Sequence, residues 1–270
     1  MTVQTAFDKA KAERRAALVG YLPAGFPSFD GAVAAATAMV EAGCDVIEIG
    51  LPYTDPLMDG PTIQDAVHRA LVGGTRVADV FRTVEAVAAT GAATLVMTYW
   101  NPVDRYGVDA FARDLKSAGG TGLITPDLTP EEGEPWLAAS DAHGLDRVFL
   151  VALSSTDERI EKITGVCRGF VYAASLMGVT GARSAVDTGA PRLVKRTRTI
   201  LEARGSALPV GLGLGVSNGA QAAEVAGFAD GVIVGSAFIR RLLDAPDERT
   251  GVEAVRALAA ELAEGVRNPR

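Results

Sequence analysis

Cysteine and histidine are close to missing from this chain, with two of each in 270 residues. Cys44 and Cys167 stand far apart, so no disulfide framework and no CxxC metal motif is available, and two free, buried thiols in a reducing interior are expected. His68 and His143 both fall in segments of helical period, which argues against a histidine-rich metal site and against a histidine base. Lysine is scarce as well: Lys9, Lys11, Lys116, Lys162 and Lys195 all sit in predicted helices, so no strand end carries an amine for a Schiff base. An excess of positive charge is also lacking, and a net charge of -7 disfavours a surface built to bind nucleic acid. No apolar run approaches the ~20 residues that span a bilayer. The opening stretch "MTVQTAFDKAKAERRAALVGYLPA" does not follow the basic, apolar, small-residue order of a secretory leader, and a cytoplasmic protein is expected.

What the chain has in quantity is β-rich runs separated by helical ones. Eight short runs recur: "AALVGYL" from Ala16, "DVIEIG" from Asp45, "TLVMTY" from Thr94, "GLITPD" from Gly122, "RVFLVAL" from Arg147, "GFVYAAS" from Gly169, "PVGLGLG" from Pro209 and "GVIVGSAF" from Gly231. Between them, in "FDGAVAAATAMVEAG" or "VDAFARDLKSAGG", apolar residues return every three or four positions. Alternating strands and helices mean a parallel sheet covered by helices, and eight such units in this length match a closed (β/α)8 TIM barrel. No linker divides the sequence, so residues 1–270 read as a single domain, with "TAFDKAKAERR" as an extra N-terminal helix under the barrel and "SAFIRRLL" as a short helix after the eighth strand. A doubly wound open sheet is the rival architecture.

Working groups in such a barrel lie at the C-terminal ends of the strands and in the loops that follow. Alternation in "DVIEIG" turns Val46, Glu48 and Gly50 to one face and Ile47 and Ile49 to the other, which aims Glu48 into the barrel. Burial raises a carboxyl pKa by disfavouring the charged form, so Glu48 is a candidate general acid/base; a buried glutamate satisfied by an arginine or by backbone amides is the alternative. Asp55 and Asp59 follow in "YTDPLMDGPTI", at Asp-Pro and Asp-Gly steps that also favour plain turns. Three carboxylates at one strand end favour a functional reading.

Late in the chain, Gly211, Gly213 and Gly215 alternate, which would let a ligand or another backbone come close; barrel packing is the other account of them. Gly235 and Ser236 then open the short helix, where backbone N–H groups and the helix dipole suit a phosphate. "GVTGARSAVDTGAP", after the sixth run, has the composition of a closing lid or of an ordinary loop. The basic stretch from Pro191 reads as a solvated helix face. What remains is carboxylate acid–base work on a phosphorylated small molecule, without a metal or a covalent intermediate.

With "EIGLPYTDPLMDGPTIQ" from Glu48, "GVTG" from Gly178, the glycine-bearing seventh strand and "GSAF" from Gly235 in this order and spacing, the chain resembles the tryptophan synthase alpha chain family along its whole length. The resemblance implies retro-aldol cleavage of indole-3-glycerol phosphate to indole and glyceraldehyde 3-phosphate, a lyase step of tryptophan biosynthesis. It aligns Glu48 with the acid/base that protonates indole C3 and Asp59 with the aspartate that accepts from the indole N–H. Asp55 and Thr180 align with residues of loop closure, Tyr172 with an active-site tyrosine, and the amides around Gly181, Gly215, Gly235 and Ser236 with the phosphate site. An indole pocket of Tyr21, Met97, Tyr99 and Leu123 is expected from strand position. The resemblance further implies no cofactor in this chain, with pyridoxal phosphate only in a partner beta chain that joins it in an alpha2beta2 heterotetramer. "YWNPVDRYG" resembles part of that interface. Met58, Phe26 and Leu214 depart from the family's usual residues, which bears on pocket shape, loop closure and coupling to the partner. A stand-alone lyase that releases indole and a catalytically silent binding barrel are the competing functions.

Overall fold

Strands buried on both faces read as continuous apolar runs, and the first two strands, β1 (Ala17–Pro23) and β2 (Val46–Gly50), are buried at every position. The computed structural model describes residues 1–174, 189–213 and 215–270. The remaining strands there are β3 (Ala93–Met97), β4 (Gly122–Ile124), β5 (Asp146–Val148), β6 (Leu150–Ala152), β7 (Val171–Ala174), β8 (Val210–Gly213) and β9 (Gly231–Val234). All pair in parallel, in the order β5-β4-β3-β2-β1-β9-β8-β7-β6. β5 and β6 are two halves of one run with only Phe149 between them, so the chain itself joins the two ends of the sheet. The "RVFLVAL" run is thus a single barrel strand that pairs with β4 through its first half and with β7 through its second, which closes the eight-strand ring.

The helices are α1 (Val3–Ala12), α2 (Phe29–Glu41), α3 (Pro61–Val72), α4 (Val77–Ala88), α5 (Trp100–Tyr106) and α6 (Val108–Ser117). They continue with α7 (Glu134–His143), α8 (Asp157–Val166), α9 (Gly189–Ala203), α10 (Gly219–Ala226), α11 (Ser236–Leu243) and α12 (Glu248–Arg267). Side chains that cap N-termini start several of them: Ser28 accepts from Gly31 N at α2, Thr156 from Arg159 N at α8, Asn218 from Gln221 N at α10 and Asp247 from Thr250 N at α12. Among the described residues, no helix is long and apolar enough to cross a membrane.

Two apolar clusters follow from strand alternation. Ile47, Ile49, Val96 and Leu123 join the outer cluster beneath the helices, and Val19, Val46, Leu95, Ile124, Val148 and Ile233 fill the barrel interior. α1 closes the bottom by inserting Val3, Ala6, Phe7 and Ala10 into that interior, with the Phe7 ring stacked on Phe170 at 5.4 Å between centroids. A buried ion pair locks this end: Arg15 donates to both oxygens of Asp45, at 2.6 and 2.8 Å, and Asp45 also accepts from Leu18 N at 2.9 Å. The bottom is therefore filled and tied, and the open end of the barrel is the C-terminal one.

The basic stretch forms α9, which buries Leu193, Val194, Thr197 and Leu201. Two of its arginines are ion-paired with neighbouring elements: Arg196 with Asp157 at 2.6 Å and Arg198 with Asp230 at 3.1 Å. The lid-like stretch from Gly178 falls mostly outside the described residues, and its last residues, from Gly189, open α9. Cys44 and Cys167 are free and buried, as expected, and burial pushes both thiols up.

Candidate active site

Glu48 sits at the centre of β2, level with Tyr21 of β1 and Leu95 of β3, and is fully buried. Its side chain lines a cavity at the C-terminal end of the barrel, about 770 Å³ of empty space open to solvent. Among the described residues neither carboxyl oxygen has a hydrogen-bond partner. No arginine or amide among them satisfies it, and burial pushes its pKa up to about 8. A carboxyl in that state holds its proton at neutral pH and can release it to a bound molecule.

Asp59 meets the same cavity from the loop after β2. Burial raises its pKa, and the Tyr99 phenol draws it back down by hydrogen bonding to the charged form. Gln64, in the first turns of α3, donates to the Asp59 carbonyl at 2.7 Å, and Met58 N donates to the Tyr99 hydroxyl at 3.0 Å. The loop carrying Asp59 is thus held by its backbone on both sides. α3 begins immediately after it because Pro61 occupies the first helical position, where a missing N–H costs nothing. Asp55 lies at the exposed rim, where its carboxylate accepts from Thr54 Oγ1 at 2.6 Å, and it does not line the cavity.

Two tyrosines complete the wall. Tyr21 and Tyr172 both have raised pKa values, from burial first and then from the charges of Asp59 and Glu48 close by. Glycines make room for them. A Cβ at Gly50 would overlap the Tyr21 hydroxyl, and one at Gly213 would overlap the Tyr172 hydroxyl. Gly211 likewise accommodates Phe170 and Ile233. Gly211 and Gly213 of β8 therefore serve barrel packing, Gly213 also lines the cavity, and Gly215, just past the strand with a φ of 81°, lines it as a bare backbone position. After the neighbouring strand β9, Gly235 and Ser236 line the cavity at the N-terminus of α11, which is tied to α3 by Arg240 donating to Thr62 Oγ1 at 2.9 Å.

Of the four residues expected to form the apolar pocket, Tyr21 and Met97 line it. Leu123 does not: β4 turns Ile124 inward and Leu123 out against the helices, so strand position was right and its parity wrong. Tyr99 is buried and holds the loop instead of forming the wall. The apolar wall also includes Ile63, Leu150 and Ile233, which sequence reasoning did not name. Alternation within the fifth and eighth runs could have found Leu150 and Ile233. Met58 lines the cavity and Phe26 is buried, whereas Thr180, Gly181 and Leu214 lie outside the described residues.

A closed barrel whose bottom is plugged, whose open end holds two carboxyls in an apolar cavity, and whose rim offers a helix N-terminus belongs to the class of barrels that do proton transfer on a small anionic molecule. The chain belongs to the tryptophan synthase alpha chain family, whose model matches residues 7–267. It is 66% identical over 267 residues to the tryptophan synthase alpha chain of Salinispora arenicola, covering 99% of this chain and 98% of that one. The Thermobifida fusca alpha chain is 64% identical over 259 residues, 96% of this chain and 95% of its own. A chain in a structure of Mycobacterium tuberculosis tryptophan synthase superimposes with a TM-score of 0.91 at 57% identity, covering 98% of each chain. The alpha subunit from Legionella pneumophila does so with 0.87 at 32%, covering 99% of each.

Proposed function

We propose that the cavity cleaves indole-3-glycerol phosphate to indole and glyceraldehyde 3-phosphate, with Glu48 as acid/base and Asp59 as the partner of the indole N–H. Protonated Glu48 delivers its proton to indole C3 while the Asp59 carboxylate accepts from the ring N–H and stabilises the indolenine-like tautomer. The bond between C3 and the side chain then breaks. Its electron pair returns to the ring, and the hydroxyl on the departing carbon gives its proton to the Glu48 carboxylate as the aldehyde forms. Glu48 ends as it began, protonated, so the cycle needs no external acid and no cofactor.

The indole ring lies against Tyr21, Ile63, Met97 and Leu150, with Tyr172 beside the reacting carbons. The phosphate binds at the amides around Gly215, Gly235 and Ser236, where the α11 dipole favours negative charge. Gly181 joins that phosphate site, and Asp55 and Thr180 act in loop closure. The partner is a tryptophan synthase beta chain, in an alpha2beta2 heterotetramer that carries pyridoxal phosphate in its beta subunits and works in the cytoplasm. One observation carries this reading: Glu48 is fully buried, without a partner for either oxygen among the described residues, and lines a cavity that Asp59 shares. Steady-state cleavage of indole-3-glycerol phosphate by the purified chain, alone and titrated with beta chain, tests it. Weak cleavage that rises steeply with beta supports the reading; no cleavage with or without beta removes it, and full activity indifferent to beta makes the chain a stand-alone lyase.

A further inference from the structure

Tyr99 follows β3 and is 5% exposed, yet it is not part of the cavity wall. Its hydroxyl accepts from Met58 N at 3.0 Å, which leaves the phenolic proton free to be donated, and the next residue along the chain is Asp59. Its ring packs on Tyr53 at 5.6 Å between centroids, and Asn101 Nδ2 holds the Tyr53 hydroxyl at 3.1 Å. The loop after β2 therefore grips Tyr99 twice, through Tyr53 on its ring and Met58 on its oxygen. The ring has no freedom to turn the hydroxyl away.

We propose that Tyr99 is a positioning residue for Asp59: its hydroxyl fixes the loop backbone through Met58 N and donates to the Asp59 carboxylate, presenting that carboxylate to the substrate. This deepens the proposed function and rests on it for the role of Asp59. The titratable groups that sense the Asp59 charge are Tyr21 from β1, Tyr99 and Tyr172 from β7, and Glu48 of β2 shares the cavity. Among the described residues no basic side chain acts on Asp59, so the Tyr99 phenol is the group that opposes its burial. A burial-raised pKa with this donor removed moves higher, and the ionised form becomes scarcer at neutral pH.

Tyr99→Phe keeps the ring against Tyr53 and deletes the oxygen. Its kcat/KM for indole-3-glycerol phosphate in the presence of beta chain is expected to fall by about ten- to a hundredfold, the scale of one hydrogen bond to a charged group. The acidic limb of the pH profile moves to higher pH and the alkaline limb stays in place. The Asp59 carboxyl is followed separately in protein labelled with ¹³C at aspartate, where its titration midpoint rises in Tyr99→Phe. An unmoved Asp59 midpoint with an unmoved acidic limb overturns the proposal, even if activity falls. The NMR titration needs no turnover, so it still decides the role of Tyr99 if the chain proves not to cleave this substrate.

Discussion

A buried carboxyl without a partner for either oxygen among the described residues, with a pKa of about 8, is protonated in the folded chain at pH 7, whereas the unfolded chain ionises it near 4.3. The folded value is the raised one, so its contribution to stability is fully present below about pH 4.3 and is lost as pH rises toward 8. At pH 7 this amounts to roughly 3 kcal/mol of stability given up to keep a proton donor inside the barrel. Glu48→Gln is expected to abolish cleavage while making the protein more stable, with a gain that grows from pH 5 to pH 8 in denaturant unfolding. A gain of the same size at both pH values would show that folding does not raise the Glu48 pKa. Asp59→Asn is expected to lose most activity as well, because an amide lacks the charge that favours the indolenine-like tautomer; unchanged kinetics would reduce Asp59 to a turn residue. Glu48 was legible in the sequence because a lone carboxylate interrupts an apolar strand, and alternation alone aimed it inward. Tyr99 was legible only as a pocket residue, because its hold on Met58 depends on a loop from the neighbouring strand.

At the scale of elements, strand existence could be read throughout and strand detail could not. "RVFLVAL" reads as one strand, and it is one, but it changes partner at Phe149, whose carbonyl already accepts from Tyr172 N of β7 at 3.2 Å, and no local pattern announces that switch from β4 to β7. β4 spans only Gly122–Ile124, too short for alternation to fix which residue faces in, hence the misplacement of Leu123. The glycines of the seventh run read as room for a ligand or as barrel packing, and Gly213, like Gly50 of β2, makes room for a tyrosine of the adjacent strand. Gly50→Ala is expected to displace Tyr21 and lower kcat/KM by about tenfold or more, while far-UV circular dichroism stays that of the parent, since a Cβ there would stand 2.7 Å from the Tyr21 Cζ. At the other end of the barrel, Phe7→Ala empties the seat of α1 against Phe170 and is expected to cost about 3 kcal/mol in denaturant unfolding, with KM unchanged. A loss of catalysis larger than the loss of folded protein would mean that the two ends are coupled.

The whole molecule separates these tasks. Arg15, Asp45 and α1 close one face of the barrel, and the opposite face keeps its carboxyls, tyrosines and the α11 N-terminus around one opening. Beside that opening, Leu57, next to the cavity-lining Met58 and Asp59, is 75% exposed, an apolar side chain suited to a protein partner. Leu57→Asp is expected to weaken the stimulation by beta chain at least tenfold in titrations, leaving the activity of the isolated chain as it was. The central claim, that a buried Glu48 gives and takes the proton, is tested most directly by the pH dependence of kcat/KM for indole-3-glycerol phosphate cleavage. Wild type with saturating beta chain should give a bell, rising as Asp59 ionises and falling near pH 8 as Glu48 loses its proton, and Glu48→Gln should show no measurable turnover at any pH. A Glu48→Gln protein that keeps near wild-type turnover, or a wild-type profile that stays flat through pH 8, would contradict it.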